Sequence, residues 1–178
     1  MATRTFYIEF DHHHDNAIDY FLGMLDKTRS TTLQRIKNFT VEELDWPVRP
    51  DWNTIGALLS HTIALEHYFR IEFVKGRKLT SEEEEKWLPA LDLGPHVPKL
   101  IRKLPIEFYQ EAFAESRRLF LESFKNIDFD SFTRRIEGYD PQEGCNLAWV
   151  LYHMIEDEIQ HRGQITLLHK MYHFAQTV

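Results

Sequence analysis

Asp157 and His161 stand four residues apart in the segment Tyr152-His-Met-Ile-Glu-Asp-Glu-Ile-Gln-His-Arg-Gly-Gln164. On a helix that spacing places one side chain above the other and lets both reach a single ion. At about 100° per residue, Leu147, Val150, Met154, Ile165, Leu168 and Tyr172 fall along one apolar line, with His161 on it and Asp157 about 40° away. An unpaired carboxylate or imidazole buried among leucines costs several kcal/mol, which a divalent cation would offset. Two ligands do not make a site. The best third donor is His61, in Trp52-Asn-Thr-Ile-Gly-Ala-Leu-Leu-Ser-His-Thr-Ile-Ala-Leu-Glu66, one turn from Leu58 and Leu65, whereas His67 projects to the other side. Two imidazoles and one carboxylate are a common set for zinc or non-haem iron. His153, about 80° from the His161 line, is the alternative ligand or a residue supporting the ligands. Glu66 and Glu158 are further candidates for that supporting role.

The elements that would carry these residues are helices. Apolar periodicity predicts a first helix over Asp15 to Asn38, weakened but not broken by Ser30-Thr31-Thr32. A connection with two prolines and two tryptophans follows, and Asn53 or Thr54 caps a second helix that runs to Val74, where Gly76 stops it. Residues 76 to 105 are the least regular part, with Ser81-x-x-Glu84 read as the capping box of a short helix ending near Trp87. A third helix spans Ile106 to Asn126 with Tyr109, Phe113, Phe120 and Phe124 inward, and a polar loop over 127 to 143 leads to the last helix, Gly144 to Tyr172. Four long amphipathic segments without strand alternation make an all-α four-helix bundle, and the length of the 76–105 crossover allows helices 2 and 3 to run parallel. Gly163 costs about 1 kcal/mol relative to alanine inside a helix. That cost predicts a close approach to another element there, a second subunit included, and hence a homodimer. The N-terminal stretch reads as an apolar arm, Phe6 to Phe10, followed by His12-His13-His14, whose successive side chains point apart and suit a solvated turn.

The pairing of the Trp52 to His61 block with the block ending His161-Arg-Gly-Gln164 resembles the DinB/YfiT-like metal-dependent proteins over nearly the whole chain. The resemblance implies one bundle domain over residues 1–178, in which three histidines on two helices bind a divalent ion. His61 and His161 match the first and last of these, and Asp157 occupies the middle position. Zinc, nickel, iron and manganese are the candidate metals. The resemblance further implies an enzyme that uses the metal to activate a low-molecular-weight thiol, such as bacillithiol or mycothiol, for transfer to a small electrophile. A metal-dependent hydrolase is the alternative among enzymes. A non-enzymatic bundle for small-molecule binding or stress response is the alternative outside them.

Composition sets the outer bounds. The 178 residues carry 28 acidic and 21 basic side chains, a net charge of -7, with no Lys/Arg-rich run to hold nucleic acid phosphates. A single cysteine, Cys145, excludes an intramolecular disulfide and fits a reducing cytosol. No apolar run approaches the ~18 residues of a membrane span, and the acidic, histidine-rich start is unlike a signal peptide. The expectation is a cytoplasmic protein acting on a small molecule, with neither nucleic acid nor membrane as partner.

Overall fold

The computed structural model describes residues 17–137 and 144–177. The expected apolar arm and the His12-His13-His14 run lie outside these residues. The described chain is all-helical: α1 (Ala17–Ile36), α2 (Val41–Asp45), α3 (Ile55–Phe69) continuing as a π-helical segment Arg70–Val74, α4 (Ser81–Leu91), α5 (Val97–Leu100), α6 (Ile106–Phe124), α7 (Phe129–Thr133) and α8 (Leu147–Ala175). The long helices α1, α3, α6 and α8 are the four expected from periodicity. No helix among the described residues is long and apolar enough to cross a membrane.

Side-chain pairings fix the directions of these helices. Gly56 approaches the Tyr109 hydroxyl and Glu66 meets Ser116 and Arg117, so α3 and α6 run parallel, as the long crossover allows. His61 faces His161 and Phe69 faces Trp149, which makes α3 and α8 antiparallel. Arg29 pairs with Glu158 and Phe39 stacks on His169, so α1 and α8 are parallel. The bundle therefore has up-down-down-up order, made possible by the crossover between α3 and α6.

Helix starts follow local chemistry. Thr54 caps α3 by accepting from the Ala57 amide, while the neighbouring Asn53 instead donates to the Leu93 carbonyl at 2.8 Å. Gly76 ends the π-helical segment at φ +63°, in the left-handed region that glycine adopts without a Cβ penalty. The short helix of the crossover is capped one residue earlier than the Ser81-x-x-Glu84 pattern implies: Thr80 and Glu83 form the capping box. The helix also passes Pro89 and ends at Leu91, with Ala90 buried and its carbonyl oxygen 3.0 Å from His61 of α3. Three short helices, α2, α5 and α7, occupy stretches expected to be loop. Of these, α2 carries its own capping box, Thr40 with Glu43.

At the centre of the bundle each long helix contributes one charged side chain. Arg29 of α1 lies 3.0 Å from Glu158 of α8 and 3.2 Å from Glu66 of α3, and Arg117 of α6 lies 2.6 Å from Glu66 and 3.7 Å from Glu158. All four residues are buried. Burial pushes the Glu66 carboxyl up, but Arg29, Arg117 and the Ser116 hydroxyl outweigh it and hold the group below its ordinary value. Glu66 and Glu158 thus pair with the two arginines of the bundle's interior rather than hydrogen-bonding His61, Asp157 or His161, the supporting role expected of them. Removing one partner of a buried pair leaves an uncompensated charge, a loss of about 3–5 kcal/mol. Glu66→Ala is therefore expected to lower unfolding free energy by about that amount in denaturant titrations, and a change under about 1 kcal/mol, the range of a surface pair, would show that the network does not hold the helices together.

Candidate metal centre

The last long helix presents Asp157 and His161 toward α3, where His61 meets them. One ligand atom from each of His61, Asp157 and His161 lies within 4.8 Å of the other two. Asp157 Oδ1 stands 3.1 Å from His161 Nε2 and 3.7 Å from His61 Nε2, and the two imidazoles meet edge to face with centroids 5.1 Å apart. All three sequence-predicted ligands are thus brought together.

The rings are oriented from behind. His61 Nδ1 is 3.0 Å from the Ala90 carbonyl oxygen, an acceptor, so the ring donates there and its Nε2 lone pair faces Asp157. His161 Nδ1 is likewise 3.0 Å from Gln164 Oε1. Such second partners fix the tautomer of metal-binding histidines. The region beyond Pro89, irregular in sequence, supplies one of them. His161 Nε2, 3.1 Å from Asp157 Oδ1, and Asp157 Oδ2 are both buried without a hydrogen-bond partner. Two inward-facing atoms of metal-ligand type placed in this way are a feature that a divalent cation fits, in exchange for any proton on His161 Nε2.

His153 sits apart from this group. Its ring stacks flat on Trp149 at 4.8 Å and meets Phe69 edge-on at 5.7 Å, and burial lowers its pKa. It packs in the apolar end of the bundle beside the site. His67 does point to the other side of α3, stacked on Trp87 at 4.0 Å, where burial, reinforced by Arg70, lowers it to about 4. Cys145 is fully buried and its thiol is pushed up to about 12, which removes it as a nucleophile.

A cleft of about 460 Å³ opens beside His161, lined by Trp52, Leu58, Leu93, Leu168 and Met171 with Asp51, Asn53 and Gln164 at its polar positions. The Asn53 to Leu93 hydrogen bond ties the Trp52 loop to the crossover and so joins two walls of this cleft. Neither stretch announces the other in sequence, since their meeting depends on tertiary packing. Gly163 faces open space, with nothing within 4 Å of where a Cβ would sit, so the close approach expected there is not made among the described residues.

A sequence profile of the DinB superfamily matches residues 24–165. Among solved structures, a crystal structure of a conserved protein from Enterococcus faecalis is similar at a TM-score of 0.66 and 19% identity, covering 86% of this chain and 95% of that one. That likeness is one of fold alone. No curated protein matches the chain.

The electrostatics of the metal-free protein are testable directly. Burial pushes Asp157 up and His161 down, but neighbours outweigh it: His161 and His61 hold Asp157 well below the carboxylate range, and Asp157, with Gln164, raises His161. The stabilisation from raised His161 is present below about pH 6.5 and is lost as pH rises through its folded pKa, while that from Asp157 is present above about pH 3.9 and is lost as pH falls through its depressed value. In metal-free protein the NMR titration of His161 is expected above about 6.5 and should fall in Asp157→Asn; an unchanged midpoint would show that the two side chains do not interact in solution.

Proposed function

The chain belongs to the DinB superfamily, and from that premise we propose that His61, Asp157 and His161 hold a divalent metal ion in an enzyme whose small-molecule substrate enters the cleft beside His161. The observation that carries this reading is the convergence of three ligand atoms, with Asp157 Oδ2 and His161 Nε2 buried and unsatisfied. Three protein ligands leave a coordination position open, as catalytic sites require. When bound, such an ion would lower the pKa of a thiol or water toward neutrality.

The chain's own residues do the rest. Ala90 and Gln164 hold the two imidazoles with Nε2 inward, and Asp157 supplies the one negative charge of the donor set. Trp52, Leu93, Leu168 and Met171 give the cleft an apolar wall that limits water beside His161. The lining residues include Asp51 but neither arginine nor lysine, so the cleft suits an uncharged, largely apolar electrophile better than a phosphorylated one. Family resemblance supports transfer of a low-molecular-weight thiol to that electrophile as the reaction, with hydrolysis as the alternative. We further propose a homodimer through the open face at Gly163, which a monomeric sedimentation profile at micromolar concentration would contradict.

The ligand assignment is tested by bound metal per chain in protein purified without a nickel column, since His12-His13-His14 would retain nickel adventitiously. Asp157→Asn is expected to weaken binding, Asp157→His to retain it, and His153→Ala to leave it unchanged. Gln164→Leu should weaken affinity about 10–100-fold by freeing the His161 ring. Metal loss in His153→Ala with both Asp157 variants unaffected would transfer the ligand role to His153. Turnover by metal-loaded protein with a panel of thiols and electrophiles tests the enzymatic reading, and bound metal without any turnover would make the protein a binding module.

A further inference from the structure

Near the C-terminal end of α8, two more histidines stand four residues apart, and they converge on a carboxylate from a different element. His169 Nε2 lies 2.9 Å and His173 Nε2 lies 2.8 Å from the same oxygen, Glu43 Oε1, and the two Nε2 atoms are 3.1 Å from each other. We propose that Glu43, His169 and His173 form a second divalent-metal site, suited by its two imidazoles and one carboxylate to zinc. Its histidines lie about 12 and 18 Å along the helix from His161, given the rise per residue, and the group shares no ligand with the first. Each group therefore stands or falls without the other.

Proton counting favours an ion over a hydrogen-bonded cluster. If both rings carry their proton on Nε2, two donors face each other at 3.1 Å; if one ring gives it up, that ring turns a lone pair toward the anionic Glu43 oxygen. A cation at the centre of the triangle satisfies all three atoms. In a tetrahedral zinc site with bonds of about 2.0–2.2 Å the ligand atoms stand about 3.3–3.6 Å apart, so each edge has to open by only about half an ångström.

The three side chains are also held for the purpose. Glu43 is the N3 residue of the α2 capping box: its other oxygen accepts from the Thr40 amide at 2.7 Å, which leaves Oε1 aimed at the histidines. Phe39 stacks on the His169 ring at 4.2 Å and 6°, and Tyr172 meets His173 edge-on. Glu43 is buried whereas His173 is 57% exposed, so the fourth coordination position faces solvent and an ion can enter. An ion here would clasp α2 to the end of α8. The same α2 connection leads through Trp46, in contact with Tyr172, to the Trp52 wall of the cleft.

The test is zinc stoichiometry by calorimetric titration, in protein with His12, His13 and His14 changed to alanine so that their run does not bind. The parent is expected to take two ions per chain, His173→Ala one, His61→Ala one, and the double variant none. His173 is exposed, so its replacement leaves the fold intact, and Glu43→Gln, which keeps an oxygen for Thr40, should likewise lose one ion. A His173→Ala protein that still binds as many ions as the parent overturns the proposal. A parent that binds one ion, lost in His173→Ala and kept in His61→Ala, upholds this site and removes the other; the reverse pattern removes this one and leaves the other standing.

Discussion

Two arginines and two glutamates, one from each long helix, occupy the centre of the bundle where a simpler design would place leucines. Arg29 and Arg117 bridge Glu66 and Glu158, and so tie all four long helices together at one junction. Hydrophobic replacements of similar volume are often as stable as such a network, so net stability is a poor account of it. Its geometric effect is clearer. Successive residues on a helix point about 100° apart, and by drawing Glu158 toward α1 the network turns the preceding residue, Asp157, toward α3 and His61. Charge pairing in the core thereby sets the rotation of α8 on which the candidate metal centre depends.

The site then needs only orientation. Both imidazoles have Nδ1 occupied by a fixed acceptor, one from the crossover and one from the next turn of α8, so that both Nε2 atoms face Asp157. A carboxylate in the middle position, in place of the histidine that the family resemblance implies, reduces by one the net charge of the site with a dication bound. It also moves the donor set toward harder cations, because carboxylates suit manganese and iron better than imidazole alone does. The adjoining cleft adds an apolar wall but no cationic grip, so discrimination among substrates rests on shape and on polarity near His161.

Much of this is legible in the sequence where one element contains its own signal. The apolar line of α8 with His161 on it, the Thr54 cap and the Gly76 stop are all local, and all are found in the structure. The α4 cap is ambiguous by one residue because Thr80-x-x-Glu83 and Ser81-x-x-Glu84 satisfy the same pattern, and only the fold selects between them. The α2 capping box is masked by two nearby prolines, and with it Glu43, whose meeting with His169 and His173 spans more than a hundred residues. Arg29 and Arg117 are equally hidden: an arginine on a helix is ordinarily solvated, and nothing local announces a partner 37 or 51 residues away. Gly163 is the converse case, since its cost inside a helix is visible but no neighbour meets it among the described residues.

Whether His61, Asp157 and His161 share one metal ion is decided by anomalous diffraction from crystals grown with zinc and measured on both sides of the zinc edge. An anomalous peak is expected about 2 Å from His61 Nε2, from His161 Nε2 and from an Asp157 oxygen. Zinc bound elsewhere on the protein with no peak between these three residues would contradict the assignment.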